Sequence, residues 1–270
     1  MKTTEKTNQL IIDLTANELW SLSKLFAPGL IFGVEDPSQG MTDEEIQAAE
    51  AEVYTTLNQA GVLEMEASGQ LRIDEMLGAM VYSTIHSTDM LTLKTPGGGA
   101  ARYYHFLPEW QLELCQVEDG YQLTLFKERA DLLPHILDIS KTKLHAGDSV
   151  SSFVISERDL ELAAFLYESG KKERALEVMP GGEAMHPQME GFVQGYLAPE
   201  LHLVFDMLYD RDDEDKMHSR RNELLQTSEG LFWLSHDLAG EEALPIIHVN
   251  PITPEEVQAR FGLMLPADKV

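Results

Sequence analysis

Residues 110–133 read WQLELCQVEDGYQLTLFKERADLL. Two runs of alternating apolar and polar residues flank the tight-turn sequence Val117-Glu118-Asp119-Gly120, and a helical spacing follows. Alternation puts every second side chain on one face of a strand, so the stretch reads strand, turn, strand, helix. A second stretch has the same order. In GLFWLSHDLAGEEALPIIHVNPITPEEV (230–257) two apolar runs make a hairpin around Ala239-Gly240-Glu241-Glu242. A helix follows, with Thr253 as its cap, Pro254 in its first turn and Glu256 at its third position.

The two halves also begin alike. LIIDLTANELWSLSKLF (10–26) and SFVISERDLELAAFLY (152–167) each read strand, capping residue, helix. Few residues are identical, so the order of elements carries the repeat. The expected fold class is α+β. Two pseudo-symmetric halves, each strand–helices–antiparallel β-meander–helix, surround a central antiparallel sheet. The first half covers 1–140, the polar stretch KTKLHAGDSVSS (141–152) is a linker, and the second half covers 153–270.

Between these landmarks, a helix capped by Thr42 with Glu45 three residues on buries Ile46, Ala49, Val53 and Leu57 and ends at Gly61. LNQAGVLEMEASGQLRID (57–74) then runs from that helix into a small hairpin turning at Ser68-Gly69, with a third helix over roughly 74–87. That is the layout of a winged-helix unit. MLTLK and ARYYHFL are strands separated by TPGGGA, and Pro134 is expected to kink or end the helix ERADLLPHILDI. In the second half, GFVQGYLAPELHLVFDMLYD (191–210) fits helix and strand equally, and RDDEDKMHSRRNE (211–223) reads as a hydrophilic connection.

Charge removes the nucleic-acid reading of the winged-helix layout. The chain holds 46 acidic against 20 basic residues, a formal charge of −26, and no stretch is densely basic. Affinity for phosphate backbones comes from clustered Lys and Arg. The same surplus disfavours anionic membranes, aids solubility and steers towards neutral or basic partners. A single cysteine, Cys115, allows no internal disulfide and points to a reducing compartment. The start MKTTEKTNQLIIDL shows no secretory pattern, and no window approaches 18 apolar residues, so the expectation is a soluble, cytoplasmic protein without membrane insertion.

No spacing forces a chemistry. HExxH, CxxC, GxSxG and GxGxxG are all missing, and Gly97-Gly98-Gly99 lacks the Lys-Ser/Thr of a phosphate loop. A calcium loop starting at Asp210 would need glycine and a carboxylate where Asp215 and Arg221 stand, so the acidic run reads as a solvated loop. Cys115 sits mid-strand, where a buried inert thiol is expected, and His248 reads as a half-buried structural histidine. No catalytic residue, metal ligand or cofactor is nominated. Two aromatic features remain. Tyr103, Tyr104 and Phe106, with Trp110 beyond Pro108, flank the glycine loop Gly97, Gly98, Gly99. Phe232 and Trp233 lie beside the acidic turn. Ordinary core packing explains both. The functional alternative is a partner-binding surface, with Tyr103 on one sheet face and Tyr104 and Phe106 on the other.

The order of elements resembles the EspG family, chaperones of type VII (ESX) secretion systems. The resemblance rests on LTANELWSLSKLF, on the helix–Gly–hairpin–helix segment LNQAGVLEMEASGQLRIDEML, and on ELCQVEDGYQLTLFKERADLLPHIL. It ends on EGLFWLSHDL and LPIIHVNPITPEEVQARF. It spans nearly the whole chain through patterns of glycine, aromatics and periodicity. It implies a non-enzymatic cytosolic chaperone or adaptor, monomeric or homodimeric, holding a secreted helical-hairpin client by its apolar tip. The composition points to a low-GC Gram-positive source, so to a client other than PE–PPE proteins. The rival readings are an acidic regulator that mimics DNA to bind a protein, and a small-molecule or catalytic protein with a pocket between the halves.

Overall fold

The strand order of one long sheet reads the same from either end. The computed structural model describes residues 2–6, 9–26, 31–66, 71–147, 151–182, 185–211, 213, 215–237 and 245–266. The first half comprises β1 (Lys2–Lys6), β2 (Gln9–Leu14), α1 (Ala16–Ser23), α2 (Asp43–Gln59), β3 (Leu63–Met65), β4 (Leu71–Ile73) and α3 (Glu75–His86). It continues with β5 (Asp89–Lys94), β6 (Arg102–Phe106), β7 (Gln111–Val117), β8 (Gly120–Phe126) and, after a single 3-10 turn, α4 (Leu132–Ser140). The second half comprises β9 (Phe153–Ser156), α5 (Glu157–Glu168), α6 (Lys172–Val178), α7 (His186–Leu197), β10 (Leu201–Tyr209), β11 (His218–Thr227), β12 (Gly230–Asp237), β13 (Ile246–Pro251) and α8 (Pro254–Met264).

Eleven strands form one sheet in the order β1-β2-β8-β7-β6-β5-β10-β11-β12-β13-β9. Set β1 aside, and β2-β8-β7-β6-β5 is mirrored by β9-β13-β12-β11-β10. The mirror line falls between β5 and β10, which pair antiparallel from Val204↔Lys94 to Leu208↔Met90. The fold is α+β with a large central antiparallel sheet, as expected from the order of elements.

Alternation distributes the core over both faces. On one face α4 (Leu132, Leu133, Ile136) and α8 (Val257, Phe261, Met264) cover the middle of the sheet, against Leu91, Tyr104, Phe205, Leu224 and Trp233. On the far face there are two separate cores. α1, α2 and α3 pack over β2, β7 and β8 through Leu19, Leu22, Leu57, Leu77 and Met80. α5, α6 and α7 pack over β9, β12 and β13 through Leu160, Leu176, Phe192 and Val193.

Local chemistry sets the boundaries. Thr15 with Glu18, Thr42 with Glu45 and Thr253 with Glu256 are all capping boxes, and Ser156 caps α5 through the Asp159 amide. Gly61 takes φ +72 just past α2, the left-handed position that glycine fills without strain. Pro134 neither kinks nor ends its helix. It is the third residue of α4, where its missing N–H costs nothing. The ambiguous stretch 191–210 is both structures in turn, α7 to Leu197 and then β10. Residues 211–223 hold a strand that hydrophilicity conceals, since β11 begins at His218. β1 was not expected either. The turns at Ser68-Gly69 and Ala239–Glu242 lie outside the described residues.

Candidate partner-binding face

Because the far face carries two helical layers rather than one, the strip between them is left uncovered. The strip is built from alternate residues of the central strands. In β10 the side chains of Leu201, Leu203, Phe205 and Met207 are buried, while His202, Val204, Asp206 and Leu208 are only half-buried. Register places Thr92 opposite Asp206 and Lys94 opposite Val204 on one side, and Arg221 opposite Asp206 on the other. Tyr103, opposite Thr92, continues the strip into β6.

Its electrostatics centre on Asp206. Lys94 Nζ donates to its Oδ2 at 2.9 Å, and Arg221 Nε donates to its Oδ1 at 2.6 Å. Burial pushes the Asp206 carboxyl up, but bonds from Arg221 and Lys94 outweigh it and hold the carboxyl below its ordinary value. Val204 and Leu208 flank this charge cluster along the strand. Phe32, 46% exposed, stands beside Arg211 with its ring 5.2 Å from the guanidinium. Arg211 is tied to the start of β5 through a main-chain bond to Thr88. Tyr196, at the end of α7, lies 6.0 Å from the His202 ring. The strip thus offers apolar and aromatic contacts around an ion-pair centre in which two cations share one carboxylate.

A buried triad supports the second-half side. Glu223 accepts from His202 Nε2 at 2.6 Å, and His236 Nε2 lies 2.7 Å from its other oxygen. Burial raises the Glu223 carboxyl, yet the two histidines outweigh burial and bring it to about 2. An unfolded glutamate titrates near 4.3. The folded value is the lower one, so this stabilisation is complete above about pH 5 and is lost as pH falls towards 2. The loss amounts to about 3 kcal/mol. Urea unfolding compared at pH 5.5 and pH 3 should show about half of it, and Glu223→Gln should flatten that part of the profile. A profile unchanged in the variant would deny the triad this role.

The aromatics singled out by sequence fall differently. Tyr104, Phe106, Phe232 and Trp233 are all core, none more than 3% exposed. They fill the space under α4, α7 and α8, so they are not a surface, and ordinary packing is the correct reading. Tyr103 and Trp110 are half-buried against the α1–α3 core. Gly33, at φ +77, lies so close to the Tyr103 ring that a Cβ would sit 1.9 Å from it. Gly97, Gly98 and Gly99 are exposed on the β5–β6 loop. They rim a cleft of about 620 Å³ that also takes in Arg102, Gln116, Ile139, Glu200 and Leu203, residues of both halves. Sequence reasoning missed Val204, Leu208, Asp206 and Arg221. The one available signal was the alternation in HLVFDMLYD.

Other expectations concern reactivity. Cys115 is buried mid-strand, and burial first, then Glu113, pushes its thiol up to about 11, which suits an inert thiol. His248 is exposed rather than half-buried, because it projects from β13 on the face opposite the α5–α7 core, away from its neighbours Ile247 and Val249. Among the described residues no group of three or more His, Cys, Asp or Glu could hold a metal ion. No helix among them is long and apolar enough to cross a membrane.

Solved structures match this fold, and one of them does so from end to end. It is the type VII secretion system chaperone EspG5 of Mycobacterium tuberculosis in complex with a PE25–PPE41 dimer. The likeness covers 97% of this chain and 98% of that one, with a TM-score of 0.62 and 13% sequence identity. At that identity the two share a fold. No family profile matches the sequence, and no curated protein matches it.

Proposed function

We propose that this protein is a non-enzymatic, cytosolic chaperone or adaptor of a type VII-like secretion system. It binds a secreted helical client and shields that client's apolar tip. The observation that carries this reading is the uncovered central strip, bounded by two helical layers and lined by Val204, Leu208, Tyr103 and Phe32. A strip open along its length between two ridges suits a helix laid into a groove. The end-to-end likeness to a chaperone solved with a PE25–PPE41 dimer supports it. The exposed Gly97–Gly99 loop, at one end of the central strands, is proposed as an adaptable second contact.

In this reading the chain is a tandem of halves, 1–140 and 153–270, joined by 141–152, and the strip exists only where they meet. The acidic surface keeps the complex soluble and steers a client of opposite charge. The test is capture of a client from the native host's cytosol, followed by titration of the purified pair. Val204→Asp with Leu208→Asp should weaken binding at least a hundredfold while the urea midpoint changes little. Undiminished affinity in a folded double variant would remove the strip from the client interface. Recovery of a DNA-binding protein would favour the DNA-mimic regulator instead.

A further inference from the structure

The cleft of about 620 Å³ beside the Gly97–Gly99 loop opens on the α4/α8 face, opposite the central strip. Leu93 of β5 with Leu201 and Leu203 of β10 make its floor, Ile136 and Ile139 of α4 make a wall, and the exposed loop makes the rim. Every residue that lines it is described. The chain leaving its wall at Thr142 runs past His145, which is bonded to Glu200, to Gly147, which packs against Glu229 and Gly230 at the β11–β12 turn. Undescribed stretches adjoin other places. Residues 212 and 214 follow the far end of β10, and 267–270 follow Pro266, which lies by the far end of β5. The volume is that of a site for a drug-sized molecule.

Two lining residues carry a fixed charge, and each has bonding capacity to spare. Arg102, partly exposed, spends Nη1 on Glu113, and its Nε and Nη2 have no partner among the described residues. Glu200, about half exposed, accepts from His145 and Gln226 on Oε2 alone, and its Oε1 has no partner among the described residues. Bonds from His145 and Gln226 hold the Glu200 carboxyl below its ordinary value. Register sets the spacing. Arg102 stands opposite Leu93, and Leu93 opposite Phe205. Arg102 is thus two strands from β10, about 10 Å, and Glu200 precedes Phe205 by roughly 16 Å of extended chain. The two residues stand on the order of 20 Å apart, at opposite ends of an apolar floor.

We infer that the cleft binds a free, extended oligopeptide of about five or six residues by both of its ends. The peptide's carboxylate takes the spare Arg102 donors, and its ammonium donates to the spare Glu200 oxygen. Apolar side chains rest on Leu93, Leu201 and Leu203. A cation and a carboxylate at opposite ends of an apolar floor select a ligand with the complementary charge at each end, and a short peptide with free termini carries both. An internal segment of a longer chain carries neither, so this ligand is distinct from the client held in the strip.

The probe is a hexapeptide of alternating leucine and serine with both ends free, titrated by calorimetry. Acetylating its amine or amidating its carboxylate should each weaken binding about tenfold, and these changes leave the protein untouched. Glu200→Gln should weaken the free peptide by a similar factor and make acetylation harmless. Arg102→Gln should do the same for amidation, with its urea midpoint measured first because Glu113 loses a donor. Blocked peptides that bind as well as the free one, or no heat from the free peptide at millimolar concentration, would overturn the assignment. Val204→Asp with Leu208→Asp should leave peptide affinity unchanged, so this result and that for the client strip are read separately. Loss of peptide binding in that double variant, still folded, would move the peptide to the strip and deny the cleft its ligand.

Discussion

Replacing Trp233 by alanine is expected to lower the unfolding free energy by about 3–5 kcal/mol, and to leave client affinity intact where the variant is still folded. The indole is 3% exposed on β12 and stacks on Phe205 at 5.9 Å and 19°. Phe205 in turn meets Phe261 of α8 edge-on at 5.6 Å. Removing the indole therefore empties the seam between the sheet and α8, and rigid strands cannot collapse into that space. Its Nε1 also donates to Asn222 Oδ1 at 3.2 Å, so Asn222 loses a partner at a buried position. In a chain of this size the melting temperature should fall by roughly 6–20 °C. Urea unfolding followed by the fluorescence of Trp20 and Trp110 measures the first quantity, and client titration well below the transition measures the second. A stable variant that had lost its client would return Trp233 to the binding surface.

What the sequence made legible follows from which signals are local. Capping boxes at Thr15, Thr42 and Thr253 need only residues three apart, and each is present in the structure. The β7–β8 hairpin needs only alternation and a tight turn. The repeat of element order reached further and led to the fold class, because the halves obey one packing plan. Long-range placement was not legible. Tyr104 and Trp233 fit both core packing and a partner surface when their strands are read alone. They become core only because α4 and α8 lie over those strands. β11 was hidden for the converse reason. Its first four residues are polar, so no hydrophobic period marks them. The central strip was hidden because it depends on β5 meeting β10, strands more than 100 residues apart in the chain.

Glu113→Ala is expected to cost about 3–5 kcal/mol, although it removes a charge from an apolar core. The carboxylate is 1% exposed on β7, beneath α4. It accepts from Arg102 Nη1 and Tyr104 Oη at 2.8 Å on one oxygen, and from His135 Nε2 at 2.9 Å on the other. Burial pushes the Glu113 carboxyl up, but His135 and Arg102 more than reverse this and keep it below its ordinary value. Burial, with Glu113 next, holds the Tyr104 hydroxyl well above its own value and so protonated to donate. Alanine leaves all three donors without an acceptor, and one of them is the guanidinium, which cannot discharge itself. Water reaches Arg102, which is partly exposed, far more readily than Tyr104, which is fully buried, so most of the cost should fall on the tyrosine and on the α4 contact. Glu113→Gln keeps an acceptor for Tyr104 and Arg102 and should cost about 1–3 kcal/mol. Adding Tyr104→Phe to Glu113→Ala should then restore part of the loss, because the orphaned hydroxyl is gone. Urea midpoints for the two single variants and the double variant complete the cycle. Full additivity between the two sites would show that the hydroxyl finds another partner and that Glu113 holds α4 through His135 alone.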